Sequence, residues 1–200
     1  CIRDRVEAAT RYILEHFDQK TKRDLGQLYD HKVVSNVEQS VRKRGAKEAI
    51  KSTRKLRGFN ALFATDSIPA ARTYYEEFAR QQADLPAHQR LKVATIFSAQ
   101  TSSSGSADMI EDEDFDTSTL SADNLDFLEG AVNDYNEYFS TNYDARDSES
   151  FENYYKDLSQ RIKNREIDLV IVVNMLLTGF DATTLNTLFV DKNPVSYTHL

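Results

Sequence analysis

Of the 200 residues only one is cysteine, three are proline and six are glycine. A single cysteine, Cys1, allows no internal disulfide framework and no cysteine-based zinc site, and it suits a reducing, cytoplasmic setting. So little glycine and proline excludes a collagen-like or linker-dominated chain. No uncharged apolar run reaches the roughly 18 residues a membrane helix needs, so no membrane partner is expected. The glycines, at 26, 45, 58, 105, 130 and 179, match neither G-x-G-x-x-G nor G-x-x-x-x-G-K-[ST]. That excludes a dinucleotide fingerprint and a Walker A loop. His16, His31, His88 and His199 show no metal-ligand spacing, and the serines lack a nucleophile elbow. Asp-x-Lys pairs occur at Asp18/Lys20 and Asp30/Lys32, but neither reads as part of a strand with an upstream acid. No complete catalytic constellation is therefore expected. Cys1 stands where an initiator methionine would be, and no signal-type apolar stretch follows, so the start reads as the interior of a longer protein.

What is present is a soluble composition with 40% hydrophobic and 28% charged residues, enough to build a buried core at this length. The net charge of -7 is strongly segregated. Residues 1–92 carry +7, residues 93–145 carry -12 without a single Lys or Arg, and residues 146–200 carry -2. Composition alone therefore leaves the partner open.

Helical periodicity runs through Ile2, Val6, Ala9, Ile13 and Phe17. A second helix is expected over 37–57, carrying Arg42, Lys43, Arg44, Lys47, Lys51, Arg54, Lys55 and Arg57 and closed by Gly58. Its cationic face reads either as a solvated surface or as a phosphate-contact surface, with Arg54, Lys55 and Arg57 as candidates. Phe59–Thr65 is a short apolar strand. Asp66-Ser67 and Pro69 then open a helix through Ala70, Tyr74 and Phe78. Leu91–Phe97 is a second strand, and residues 100–124, rich in Ser, Thr, Asp and Glu, are expected to be a flexible acidic insertion. Helices follow through Leu125–Phe139 and Phe151–Ile162. The paired tyrosines Tyr74-Tyr75 and Tyr154-Tyr155 lie on their apolar faces, so packing is their default role. Asp168–Val173 is the strongest strand, its unbroken apolar run indicating burial on both faces, and Leu185–Val190 is a fourth.

Strands alternating with helices predict an α/β fold with a mainly parallel sheet, whose ligands bind at the carboxyl ends of the strands. Two loops fall there: Thr65-Asp66-Ser67, and Thr178-Gly179-Phe180-Asp181. Gly179 can bring backbone N–H groups close to a phosphate, Thr178 offers a hydroxyl, and Asp181 a carboxylate for a ribose hydroxyl or an arginine.

In context these strings are more specific. Residues 168–181, DLVIVVNMLLTGFD, with LNTLFVDKN at 185–193, resemble the second motor domain of the R subunit of type I restriction enzymes, which are superfamily 2 DNA translocases. Residues 59–75, FNALFATDSIPAARTYY, resemble that family's motif IV, and 166–185 its motif V. The resemblance covers about 59 to 193. It implies a RecA-like three-layer αβα domain over 58–193, preceded by a helical lead-in over 1–57. It also implies an ATP- and Mg2+-dependent motor acting on double-stranded DNA. Gly179 and Asp181 would line the ATP cleft. Thr178, with Thr65 and Ser67 as secondary contacts, would meet the DNA backbone. The implied partners are the first RecA-like domain of the same chain and the modification and specificity subunits.

The family's Walker A, Asp-Glu-x-His and nuclease motifs belong to parts N-terminal to this one and have no counterpart here. Its arginine-bearing motif VI is also missing, since no arginine follows Arg165. ATPase activity from these 200 residues alone is therefore not expected, and Pro194–Leu200 reads as a non-native tail. The rival readings are another superfamily 2 DNA or RNA helicase and a non-enzymatic α/β binding module.

Overall fold

The computed structural model describes residues 2–97, 117, 120–173 and 182–191. Its elements are α1 (Ile2–Lys20), β1 (Leu28–Val34), α2 (Val37–Ser40), β2 (Lys51–Arg57), β3 (Asn60–Thr65), α3 (Ile68–Gln81), β4 (Val93–Phe97), α4 (Ala122–Phe139), α5 (Ser148–Lys163), β5 (Leu169–Val173) and β6 (Leu185–Asp191).

Strands β3 to β6 form one sheet in the order β4-β5-β3-β6, and every pair in it is parallel. All five residues of β5 are buried. Successive side chains of a strand point to opposite faces, so complete burial requires cover on both sides of the sheet. On the face that carries Phe63, its ring meets Tyr74 and Phe78 of α3 edge-on, and α1 adds Val6, Ile13 and Phe17 to the same core. From α5, the buried Tyr154 donates its hydroxyl hydrogen bond to the Thr95 carbonyl at 2.9 Å. This is the α/β architecture read from the sequence: a parallel sheet flanked by helices, consistent with a RecA-like αβα arrangement.

Edge strand β6 differs from β5. Its side chains alternate between half-buried and exposed, and Leu188 and Val190 are more than half exposed. Helix starts follow the sequence signals. Ser67 caps α3 by accepting from the Ala70 N–H, with Pro69 in the first turn, and Asp147 caps α5 through the Ser150 N–H at 2.7 Å.

The lead-in departs from expectation. No helix spans 37–57. Only Val37–Ser40 is helical, and Lys51–Arg57 is a strand paired antiparallel with Leu28–Val34. The charges of 42–57 recur at helical spacing, but the segment has too few apolar residues to give a helix a buried stripe, which is where most helix stability in a protein arises. Strand β1, by contrast, buries His31 and Val33 two residues apart, and β2 supplies its backbone partners. Gly58 does adopt positive φ (+61°), as a closing glycine does, yet it joins two strands. A Cβ there would stand 2.5 Å from Arg23 Cγ and 2.6 Å from the Thr21 carbonyl oxygen, so the site excludes a side chain.

Parts of the segment expected as a flexible acidic insertion are described and folded. Thr117 is buried and donates to the Ala145 carbonyl at 2.8 Å, and α4 begins at Ala122 under a Ser121 cap. The rest of the 100–124 segment, and Pro194–Leu200, lie outside the described residues.

Candidate functional site

Two surfaces carry the residues singled out from the sequence, and they stand at opposite ends of the sheet. At the carboxyl end of β3, Thr65 is fully buried, and its hydroxyl turns inward toward the Val172 and Ser67 carbonyl oxygens, both at 3.4 Å. Ser67 donates to Asp66 Oδ1 at 2.9 Å while its oxygen caps α3. Both hydroxyls are thus engaged in holding the turn. The side chain that faces solvent there is Asp66.

Next to it, Asp191 at the carboxyl end of β6 accepts from the Tyr74 hydroxyl at 2.6 Å and pairs with Arg5 at 3.3 Å. Burial, and then the hydrogen bond to Asp191, push the Tyr74 hydroxyl well above its ordinary pKa, so it stays a donor. Sequence reasoning gave Tyr74 a packing role alone, and its polar end finds a partner 117 residues away.

Thr178, Gly179 and Asp181 lie outside the described residues. What is described is the pair of flanks. β5 ends at Val173 on the carboxyl edge, and the chain is next described at Ala182, whose carbonyl accepts from the Leu185 N–H as β6 begins. Thr184 is buried, donates its hydroxyl to the Ile162 carbonyl at 2.9 Å and accepts from the Asn60 N–H, which fixes this second flank at the amino edge.

The basic candidates sit on the β1–β2 hairpin, which joins β3 through Gly58 at the amino edge. β3 holds six residues, so roughly 20 Å of strand separates Arg57 from Thr65. The register places Lys55 opposite Asp30 and Arg57 opposite Leu28, on the face that also carries Lys51, Thr53 and Lys32. Arg54 lies opposite His31, on the face that packs against the body. The three basic candidates therefore divide between two faces: Lys55 and Arg57 look outward, and Arg54 does not share their side. Asp30 and Lys32, read as lying off any strand, are on β1.

The first part of the basic run is neutralised in place. Arg42 pairs with Glu38 at 2.5 Å, Lys43 with Glu152 at 2.8 Å and Arg44 with Glu149 at 3.6 Å. The bonds from Lys156 and Lys43 hold the Glu152 carboxyl below its usual pKa range. Among the described residues, no such partner is found for Lys32, Lys51, Lys55 or Arg57.

The hairpin is fastened to α5 by one side chain. Asn164, buried at the end of that helix, accepts from the Val34 N–H at 2.8 Å and donates to the Val34 carbonyl at 2.7 Å. Beneath the hairpin, Phe59 packs against Tyr29 and, edge-on, His31. Burial and then the Arg165 charge depress the His31 pKa, so the neutral ring is favoured.

A helix-flanked parallel sheet with outward cations on the hairpin at its amino edge defines an α/β domain. Comparison with known proteins gives the family. Residues 57–200 match the family model described as type I restriction enzyme subunit R domain 3, and the chain belongs to that family. It is 38% identical over 138 residues to the type I restriction enzyme SauMRSORF196P endonuclease subunit of Staphylococcus aureus (strain MRSA252). It is 37% identical to the SauCOLORF180P endonuclease subunit of S. aureus (strain COL), and 36% identical to the SsaAORF53P endonuclease subunit of Staphylococcus saprophyticus. Each match takes in 68% of this chain and 14% of the relative, so the chain spans a small part of the length of these relatives. No described helix is long and apolar enough to cross a membrane.

Proposed function

We propose that this chain is the second motor domain of an ATP-dependent DNA translocase in a type I restriction enzyme, contributing half of an ATP cleft and a surface for the DNA backbone. The observation that carries the reading is the doubly buried strand β5 in the parallel sheet of an R-subunit relative. Such a strand ends at the carboxyl edge of the sheet, where α/β ligands bind. In P-loop motors ATP and Mg2+ are held by a Walker A backbone and lysine, a Ser/Thr hydroxyl and a Walker B Asp. None of that set occurs in the sequence, so these residues fit only the outer wall of such a site. The first RecA-like domain would hold the nucleotide and metal, with Gly179 and Asp181 facing them. Thr178, Lys55 and Arg57 would meet duplex DNA, with the modification and specificity subunits as further partners in the cytoplasm.

The test uses the R subunit that contains this chain. Asp181→Asn is expected to lower ATP turnover and translocation together by about ten- to a hundredfold, the loss of one charged hydrogen bond. DNA binding without nucleotide should persist. Thr178→Ala should weaken DNA binding and uncouple ATP use from it. Unchanged turnover per folded Asp181→Asn molecule would remove Asp181 from the cleft.

A further inference from the structure

We infer that the open edge of β2 is a docking site for an acidic, extended segment of another polypeptide, which adds to the hairpin as a third strand. The ladder shows which backbone groups that edge presents. Facing residues of antiparallel strands alternate between pairs that bond each other and pairs whose N–H and C=O groups point apart. Val34 engages Asn164 with both its N–H and its C=O, so the Val34–Lys51 pair is of the second kind. The neighbouring pair agrees in phase, since Ser35 donates its N–H to the Ile50 carbonyl at 3.0 Å. Counting by twos along β2, Lys51, Thr53, Lys55 and Arg57 all turn their backbone groups away from β1. Each presents one donor and one acceptor, repeating at about 6.7 Å along the edge. Among the described residues none of these groups has a partner. Six of the seven residues of β2 are exposed, so the edge is open along its length.

An exposed row of this kind is a template for a further strand. Strand addition draws affinity from main-chain bonds and specificity from alternate side chains. The four residues that present the edge also share one face of the hairpin, and three of them are cations. β1 answers only one of these with an acid: Asp30 stands opposite Lys55, whereas Lys51 faces Val34 and Arg57 faces Leu28. Like charges directly opposite one another destabilise a strand pair, and unlike charges stabilise it. A second copy of β2 would set cations against cations, which is how edge lysines deter self-association. The same side chains favour a strand with Asp or Glu at alternate positions. The pairing is made by the backbone edge, so the inference does not depend on the DNA-backbone role proposed above.

Fluorescence anisotropy with the R subunit that contains this chain tests the docking, the probe being a short labelled peptide that alternates valine and glutamate. The peptide is expected to bind. Methylating its central backbone amides keeps every charge and should weaken binding about tenfold or more, as the loss of two or more backbone hydrogen bonds would. Lysine in place of glutamate should abolish binding. On the protein, Thr53→Pro removes an outward N–H and no ladder bond, a place where an edge strand tolerates proline. It should weaken the peptide about tenfold or more. The β1 and β2 amides should meanwhile keep their hydrogen-exchange protection. Ser52→Pro, which removes a ladder donor, is the control that opens the hairpin. Should Thr53→Pro also lose that protection, the methylated peptide on wild type decides alone. Equal binding of the methylated and unmodified peptides would mean that charge alone holds them, and it overturns the third strand. So does undiminished binding to a folded Thr53→Pro hairpin, or a failure of the unmodified peptide to bind.

Discussion

Replacing Asn164 with alanine tests how the hairpin is held. The Asn164 amide pairs with Val34 as a peptide unit would, satisfying an N–H and a carbonyl on the outer edge of β1. Val34 is only 7% exposed, so Asn164→Ala strands both groups in a largely dry site. At about 1–3 kcal/mol for each orphaned group, and with water reaching one of them, the loss comes to about 2–4 kcal/mol. The hairpin can open without the sheet, so the effect should be local first. Native-state hydrogen exchange on the β1 and β2 amides is the assay, and protection there should fall about 30- to 1000-fold while β3 and β5 amides change little. Asn164→Asp keeps the acceptor but sets a carboxylate against the Val34 carbonyl, so it should not restore protection. If Asn164→Ala alters hairpin protection by less than about threefold, the side chain is not the fastening.

Gly58→Ala should cost more than about 2 kcal/mol, because it combines positive φ with a Cβ 2.5 Å from Arg23 Cγ; thermal unfolding measures it, and a loss below about 0.5 kcal/mol would contradict the packing. For His31 the folded pKa is depressed below the ordinary 6.5, so the unfolded chain takes up the proton first and stability is lost as pH falls below that value. Urea melts of wild type and His31→Phe across that range should converge toward lower pH, and parallel curves would refute the assignment. Asp157 is fully buried, accepting from the Tyr135 hydroxyl at 2.5 Å and from Arg161 Nε at 2.8 Å; Asp157→Ala, which leaves Arg161 without this partner, should destabilise by about 3–5 kcal/mol in the same melts.

The elements legible in the sequence were those whose burial wrote a pattern. β5 was readable because five consecutive apolar residues have few other uses, and α3 because Ser67 and Pro69 punctuate its start. β2 was unreadable for the opposite reason. Its sequence, KSTRKLR, is almost wholly exposed, and its strand state comes from β1 across the ladder. Thr65 illustrates a limit at the site itself. A threonine at a strand end reads the same whether its hydroxyl faces a ligand or, as here, two carbonyl oxygens.

The fastening of the hairpin also decides how force would travel through the molecule. A pull along β2 passes through Gly58 and Phe59 directly into β3, an inner strand of the sheet, where Arg23 grips the Phe59 carbonyl at 2.9–3.0 Å. A pull along β1 meets the two Asn164 bonds lying across the strand, so they are loaded in shear and must break together. Lifting the hairpin away from α5 would instead peel its contacts one at a time, beginning with the exposed pair of Lys43 and Glu152. The hairpin is therefore expected to resist tension along its strands better than tension that lifts it off α5.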